Sequence, residues 1–160
     1  MTVTREVAAP DVAWVFPALS SWERCHVWSA RGCTPNLRYV HERLFSAPPW
    51  QAVIEAETRD PIALLQITVQ DEIHRYGQTS LLLAPWADEL AGGVLTGELR
   101  VAMARLGLRK LCFSCVDGEM DAGRWFGDAV SMVGRLSRHE RQVDGSYADL
   151  LMHEIWTDRR

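Results

Sequence analysis

A mixed α/β sheet folded as one domain over residues 1–160 is the class that this sequence predicts, and three observations predict it. The run Thr79–Ala84 is continuously apolar, as in a central strand covered on both faces. Gly92–Leu106 carries apolar residues at helical spacing, and Leu108–Val116 is apolar again. A strand, helix, strand unit of this kind makes its two strands parallel neighbours with a right-handed crossover. The chain then closes on a long hairpin, Val130–Arg141 with Tyr147–Trp156, turning about Val143-Asp144-Gly145-Ser146.

The other elements follow in order. Thr2–Val7 alternates and makes a first strand, after which Pro10-Asp11 opens a helix through Trp14, Val15 and Leu19. Ser20–Pro35 carries Trp22, Cys25, His26, Trp28 and Cys33 around an Arg-Gly-Cys break, and reads as a short helix or aromatic loop rather than a strand. Thr34 as N-cap and Pro35 in the first turn start a second helix through Leu37, Val40, His41 and Leu44 to Phe45. Pro48-Pro49 stops it. Trp50–Ala56 and Ile62–Val69 form a hairpin about Thr58-Arg59-Asp60-Pro61. Tyr76-Gly77 leads into Thr79–Ala84, which Pro85 ends. On the helix that follows, Leu95, Leu99, Ala102, Met103 and Leu106 form one stripe, with Glu98, Arg100 and Arg105 away from it. Gly107 stands where a left-handed cap is wanted, and Asp121–Phe126 supplies a short last helix.

At 48% hydrophobic, 160 residues are enough for one core and too few for two. The net charge of -4 and pI near 5.7 leave no basic field, which argues against nucleic acid and anionic membrane as partners. Met1–Pro10 lacks the apolar core of a signal peptide, and no run approaches the ~20 residues that span a bilayer, so a cytoplasmic protein is expected. Cys112 and Cys115 lie at an odd offset within an apolar run, which sends them to opposite faces of a strand. No second Cys or His pair completes a zinc site, so free thiols and no metal are expected.

In this order the elements, with the helix closing on Leu106-Gly107-Leu108-Arg109-Lys110, resemble the GNAT superfamily of acyl-CoA-dependent N-acyltransferases. The branch most resembled acetylates ribosomal proteins and many small amines. There the final hairpin tends to read Glu-Gly-Arg-Leu and then Asp-Gly-Arg-Tyr-Asp. Here Gly134-Arg135-Leu136 and Asp144-Gly145-Ser146-Tyr147-Ala148-Asp149 stand in the same order, and the resemblance is specific from Leu81 onward. It implies a central sheet with helices on both faces, splayed parallel strands four and five, acetyl-CoA or another acyl-CoA as cofactor, and a small-molecule amine as substrate. Edge strands at both ends allow a homodimer.

In such acyltransferases the pyrophosphate of coenzyme A rests on backbone N–H groups at the start of the central helix, in a loop rich in Gly and Arg. The resemblance therefore places the cofactor on Leu83, Ala84, Trp86, Ala91, Gly92 and Gly93. The loop departs from the pattern: its arginines are missing, and Asp88 and Glu89 bring carboxylates instead. Like charges ~4 Å apart repel by about 1 kcal/mol in water and more where solvent is thin. Capping of the helix is the structural role that competes for these two acids.

Catalysis needs a base for the amine proton and an acid for the leaving thiolate. Where the family often has glutamate this chain has Gln78, the tyrosine position is nearest Trp125, and the serine position is nearest Asp121. The candidates are Asp121, His26 and His74, with Glu55, Glu57 and Glu72 as further titratable groups and His153 facing either the site or solvent. Trp22, Trp28 and Trp125, with Trp86, fall around the cleft of the resembled fold and suit a flat apolar ligand, whereas Trp14, Trp50 and Trp156 are expected in the core. Two functions follow: acyl transfer to a small hydrophobic amine, or a fold that has lost it and binds or transforms an apolar metabolite or carrier-bound intermediate.

Overall fold

A computed structural model describes residues 2–20, 26–27, 36–46, 48–88, 90–119, 121–142 and 144–157. Its elements run β1 (Thr2–Glu6), α1 (Val12–Ser20), β2 (His26–Val27), α2 (Leu37–Leu44), β3 (Gln51–Glu55), β4 (Pro61–Asp71) and β5 (Tyr76–Leu83). Then come α3 (Leu90–Arg105), β6 (Lys110–Val116), α4 (Ala122–Phe126), β7 (Val130–Arg141) and β8 (Tyr147–Trp156). The strands form one sheet in the order β1-β3-β4-β5-β6-β8-β7, with β2 attached to β5 off that path. Among the described strands only β5 and β6 are parallel, as expected of the fourth and fifth long strands.

Strand alternation divides the apolar residues between two cores. Val53, Ala63, Leu65, Leu81, Leu83, Leu111, Phe113 and Cys115 face Leu95, Leu99 and Met103 of α3 and Ala122 and Phe126 of α4. Ala52, Ile54, Leu64 and Leu82 point the other way, to Val15, Ala18 and Leu19 of α1 and Val40 and Leu44 of α2. Helices thus cover both faces. The second core contains no residue of β6, β7 or β8, so that half of the sheet lacks a described helix on the α1–α2 side.

Local chemistry explains the ends of the elements. The α3 helix stops in a Schellman arrangement: Gly107 takes φ +67°, its N–H donates to the Ala104 carbonyl at 3.2 Å, and the Leu108 N–H donates to the Met103 carbonyl at 2.8 Å. At the entry to α1, Asp11 is 2% exposed and accepts two bonds from Arg5 at 2.7 and 2.9 Å and one from the Ala8 N–H at 2.7 Å. Burial alone pushes this carboxyl up, but the Arg5 and Ala8 bonds outweigh it and hold the group below its usual range.

Two expectations are corrected. The N-cap of α2 is Asn36, whose Oδ1 accepts from the Tyr39 N–H at 2.8 Å, while Thr34 and Pro35 lie outside the described residues. Within Ser20–Pro35, His26–Val27 is a strand and neither helix nor loop; residues 21–25 and 28–35 lie outside the described residues. The reason is local to β5, which offers unpaired backbone groups where β6 leaves it.

Candidate active site at the parting of the parallel strands

β5 and β6 are paired at Tyr76–Lys110, Gly77–Leu111 and Gln78–Cys112. The pairing goes no further, although β5 runs on to Leu83 and β6 to Val116. On its other side β5 is paired with β4 throughout, including Leu64–Leu82 and Leu65–Leu81. β2 pairs His26 with Leu82 and Val27 with Leu81, so it must occupy the edge of β5 that β6 has left. Two residues of the α1–α2 connection therefore sit beside β5 where the parallel strands have parted.

Beyond Leu83 the chain turns into α3 through a cluster of small residues. Ala84, Ala87 and Ala91 are buried together, with Trp14, Ile62 and Trp125 packed against them. The Ala84 N–H donates to the Ile62 carbonyl at 2.9 Å, which ties the loop to β4. At the helix start the Ala91 N–H is shared between the Asp88 carbonyl at 3.1 Å and Asp88 Oδ1 at 3.3 Å. Asp88 therefore performs the capping role weighed for it; Glu89 lies outside the described residues.

The two glycines have different reasons to be there. A Cβ on Gly92 would lie 1.8 Å from the Trp125 carbonyl oxygen, so Gly92 is required for α4 to approach α3. A Cβ on Gly93 would meet nothing within 4 Å. Only Gly93 leaves open backbone for an anion.

Outside the loop lies a cavity of about 280 Å³ lined by Thr2, Glu55, Asp60, Trp86, Asp88 and neighbouring apolar residues, with no Arg or Lys among the described residues of its lining. Trp86 is 51% exposed; its Nε1 donates to the Pro61 carbonyl at 2.8 Å and its ring meets Trp14 edge-on at 5.7 Å. The convergence of Glu55 and Asp60 with Asp88 was not foreseen. It depends on the β3–β4 turn folding over the loop, which the Trp86–Pro61 bond records.

The remaining candidates are spread out. Asp121 is the N-cap of α4 and its Oδ1 accepts from the Arg124 N–H at 3.0 Å. His74 lies at the far end of β5, its Nδ1 2.7 Å from Asp71 Oδ2 on an exposed turn, and the fold does not bring it to the loop. The His26 side chain, Trp22 and Trp28 lie outside the described residues. Trp125 is half-buried on the α3 side, and Gln78 is exposed where β5 and β6 last pair. Cys112 and Cys115 are free thiols, half-buried and buried respectively, and no group of described residues has the makings of a metal site.

His153 corrects the reading that set it at the site or in solvent: it is 6% exposed, stacked on Phe113 at 5.1 Å, with Nδ1 3.7 Å from Cys115 Sγ. Burial holds its imidazole below the usual range, so it packs as a neutral ring. Trp50 is core as expected and Trp14 half-buried against it, but Trp156 is only half-buried and lines a surface cavity.

The architecture is one shared with solved N-acetyltransferases. A spermidine N-acetyltransferase from Vibrio cholerae, solved in complex with CoA and spermine, aligns over 98% of this chain and 95% of its own, with a TM-score of 0.73 at 15% identity. A protein provisionally described as a phosphinothricin N-acetyltransferase aligns over 99% and 100%, with a TM-score of 0.71 at 13% identity. No family model and no curated protein matches the sequence. At such identities the likeness establishes the fold, and the fold is GNAT.

Proposed function

We propose that this chain is a GNAT-type N-acyltransferase that moves an acyl group from coenzyme A to a small hydrophobic amine, in the cytoplasm. The observation that carries the reading is the parting of β5 and β6 after three residue pairs, with α3 beginning beyond it. Backbone groups on such an edge pair with an added strand or with a ligand that carries amides of its own, as an acyl-CoA does. In the free chain His26–Val27 holds that edge. At ~0.5–1.5 kcal/mol net per hydrogen bond, two residues of pairing are a small obstacle beside the roughly 8 kcal/mol of a micromolar ligand. Support also comes from a protein of the same fold solved with CoA and an amine, spermine.

Positioning then has to carry most of the catalysis, since Gln78 takes no proton and Asp121 is committed to its helix. With an acyl-CoA bound, the amine nitrogen would bond to the thioester carbon as the C–S bond breaks, and the amine proton would pass through water to the departing thiolate. Trp86 and Trp125 favour an apolar substituent on the amine. The acidic loop makes donor binding weak.

The second reading, a GNAT fold that has lost acyl transfer and handles an apolar metabolite or carrier-bound intermediate, is favoured by Glu55, Asp60 and Asp88 around the cavity outside the loop and by Gly92 being used for packing. Thermal-shift titration with acetyl-CoA, on the native chain and on an Asp88→Arg, Glu89→Gly variant, separates the two. Acyl transfer predicts a rise in melting temperature for both proteins and release of free thiol when a hydrophobic amine is added, read against an amine-free blank because Cys112 is half-exposed. A response in the variant alone establishes the second reading.

A further inference from the structure

We propose that the opposite end of the parallel pair is a binding site for a planar aromatic anion. A cavity of about 450 Å³ opens there, lined by Asp71, His74, Tyr76, Arg109, Lys110 and Trp156. It lies at the N-terminal ends of β5 and β6, away from the Pro85–Gly93 loop, and is independent of acyl transfer.

The site is built by register. Tyr76 on β5 is paired with Lys110 on β6, and Lys110 with Trp156 on β8, so the three side chains stand in a row on one face of the sheet. That face is the one left without a described helix over β6 and β8. The Lys110 Nζ lies 5.7 Å from the Tyr76 ring centre and 5.3 Å from that of Trp156, between the two aromatics. Its charge is met by Glu154 Oε1 at 2.7 Å, and Glu154 Oε2 also accepts from the Trp156 Nε1 at 3.2 Å. The indole N–H is bonded and the ammonium has one of its three donors on Glu154, so these side chains offer the cavity mainly aromatic surface.

The wall opposite is a fixed turn. The Asp71 carboxylate accepts from the His74 N–H at 2.8 Å through one oxygen and lies 2.7 Å from His74 Nδ1 through the other, so both of its oxygens are engaged by the turn. Arg109 is held by its backbone: its N–H donates to the Arg75 carbonyl at 2.7 Å, and its carbonyl accepts from the Thr157 N–H at 3.1 Å and hydroxyl at 3.3 Å. Its guanidinium has no hydrogen-bond or ion-pair partner among the described residues. Around the cavity, Lys110 has Glu154 as its ion-pair partner and Asp71 is hydrogen-bonded to His74. Among the described residues the Arg109 guanidinium alone of these groups has no such partner. Flat aromatic walls and one free guanidinium fork suit a ring bearing a carboxylate or a similar anion, since the fork meets two oxygens at once.

The test is calorimetric titration with 2-naphthoate and with its neutral amide. The expected result is saturable 1:1 binding of the acid, at least about tenfold weaker binding of the amide, and a loss of the same order in Arg109→Gln, an exposed position where folding is not at stake. Tyr76→Leu, checked for an unchanged melting temperature, weakens acid and amide alike. Absence of saturable binding, equal affinity for acid and amide, affinity unchanged in Arg109→Gln, or displacement of 2-naphthoate by acetyl-CoA would each overturn the proposal.

Discussion

The two ends of the β5–β6 pair are built on opposite principles. At the C-terminal end the strands part, the loop is filled with buried alanines, Gly92 is pressed against Trp125, and the outside is acidic. At the N-terminal end the strands are paired, their side chains make an aromatic row around one lysine, and an arginine is left over. Beyond one end of the strand pair lies a cavity lined by three carboxylates, and at the other end one that carries an arginine and a lysine. The difference teaches that the splay of a GNAT fold and its anion-holding chemistry are separable: the first follows from strand pairing, the second from a handful of side chains.

The largest effect should come from Gly92→Val, because the new side chain begins 1.8 Å from a backbone oxygen. At a cost of about 3 kcal/mol or more, the melting temperature should fall by roughly 6–12 °C in a thermal unfolding scan. A fall of less than a degree or two would mean that α4 is not docked on α3 as described. Asp88→Arg should come next: removing a like charge and adding an opposite one should tighten acetyl-CoA by about tenfold in low salt, less in high salt. The lost cap should lower stability by about 1 kcal/mol in the same protein. An unchanged affinity would separate the acidic cavity from the donor site.

Gly93→Ala is the quiet counterpart of Gly92→Val. In an exposed first turn of α3 with open space around it, alanine should stabilise by up to about 1 kcal/mol in denaturant titration. If acetyl-CoA affinity falls at the same time, Gly93 is backbone that the donor approaches. The smallest effect is at the N-terminal end. The Glu154 hydrogen bond holds the Lys110 ammonium above its usual pKa. A raised folded value means a contribution fully present below the unfolded value of ~10.4 and lost as pH climbs through the folded one. Stability measured from pH 9 upward should decline more steeply in the native chain than in Lys110→Met, and parallel profiles would show the pair contributes nothing.

Much of the fold was legible because its signals are local. Continuous apolar runs marked β5 and β6, the Leu95, Leu99, Met103 stripe marked α3, and Gly107 and the Asp144-Gly145 turn marked boundaries that the structure keeps. What could not be read depends on partners distant in sequence. His26–Val27 has no strand signal of its own and pairs because β5 has an open edge. Gly92 reads as a phosphate-loop glycine until the Trp125 carbonyl is seen above it. Trp156 was expected in the core because of its type; the row Tyr76, Lys110, Trp156 becomes visible only once three strands are in register. The acids of the mouth were half legible: Asp88 was singled out, while Glu55 and Asp60 arrive with the β3–β4 turn.

The central claim is that the edge of β5 at Leu81–Leu82 is the donor site and that β2 yields it. Peptide-level amide hydrogen exchange, with and without saturating acetyl-CoA, reads both partners in one experiment. If β2 yields this edge to the donor, exchange across His26–Val27 is faster and protection across Leu81–Leu82 undiminished when acetyl-CoA is present. Exchange in both segments that is indifferent to acetyl-CoA contradicts it.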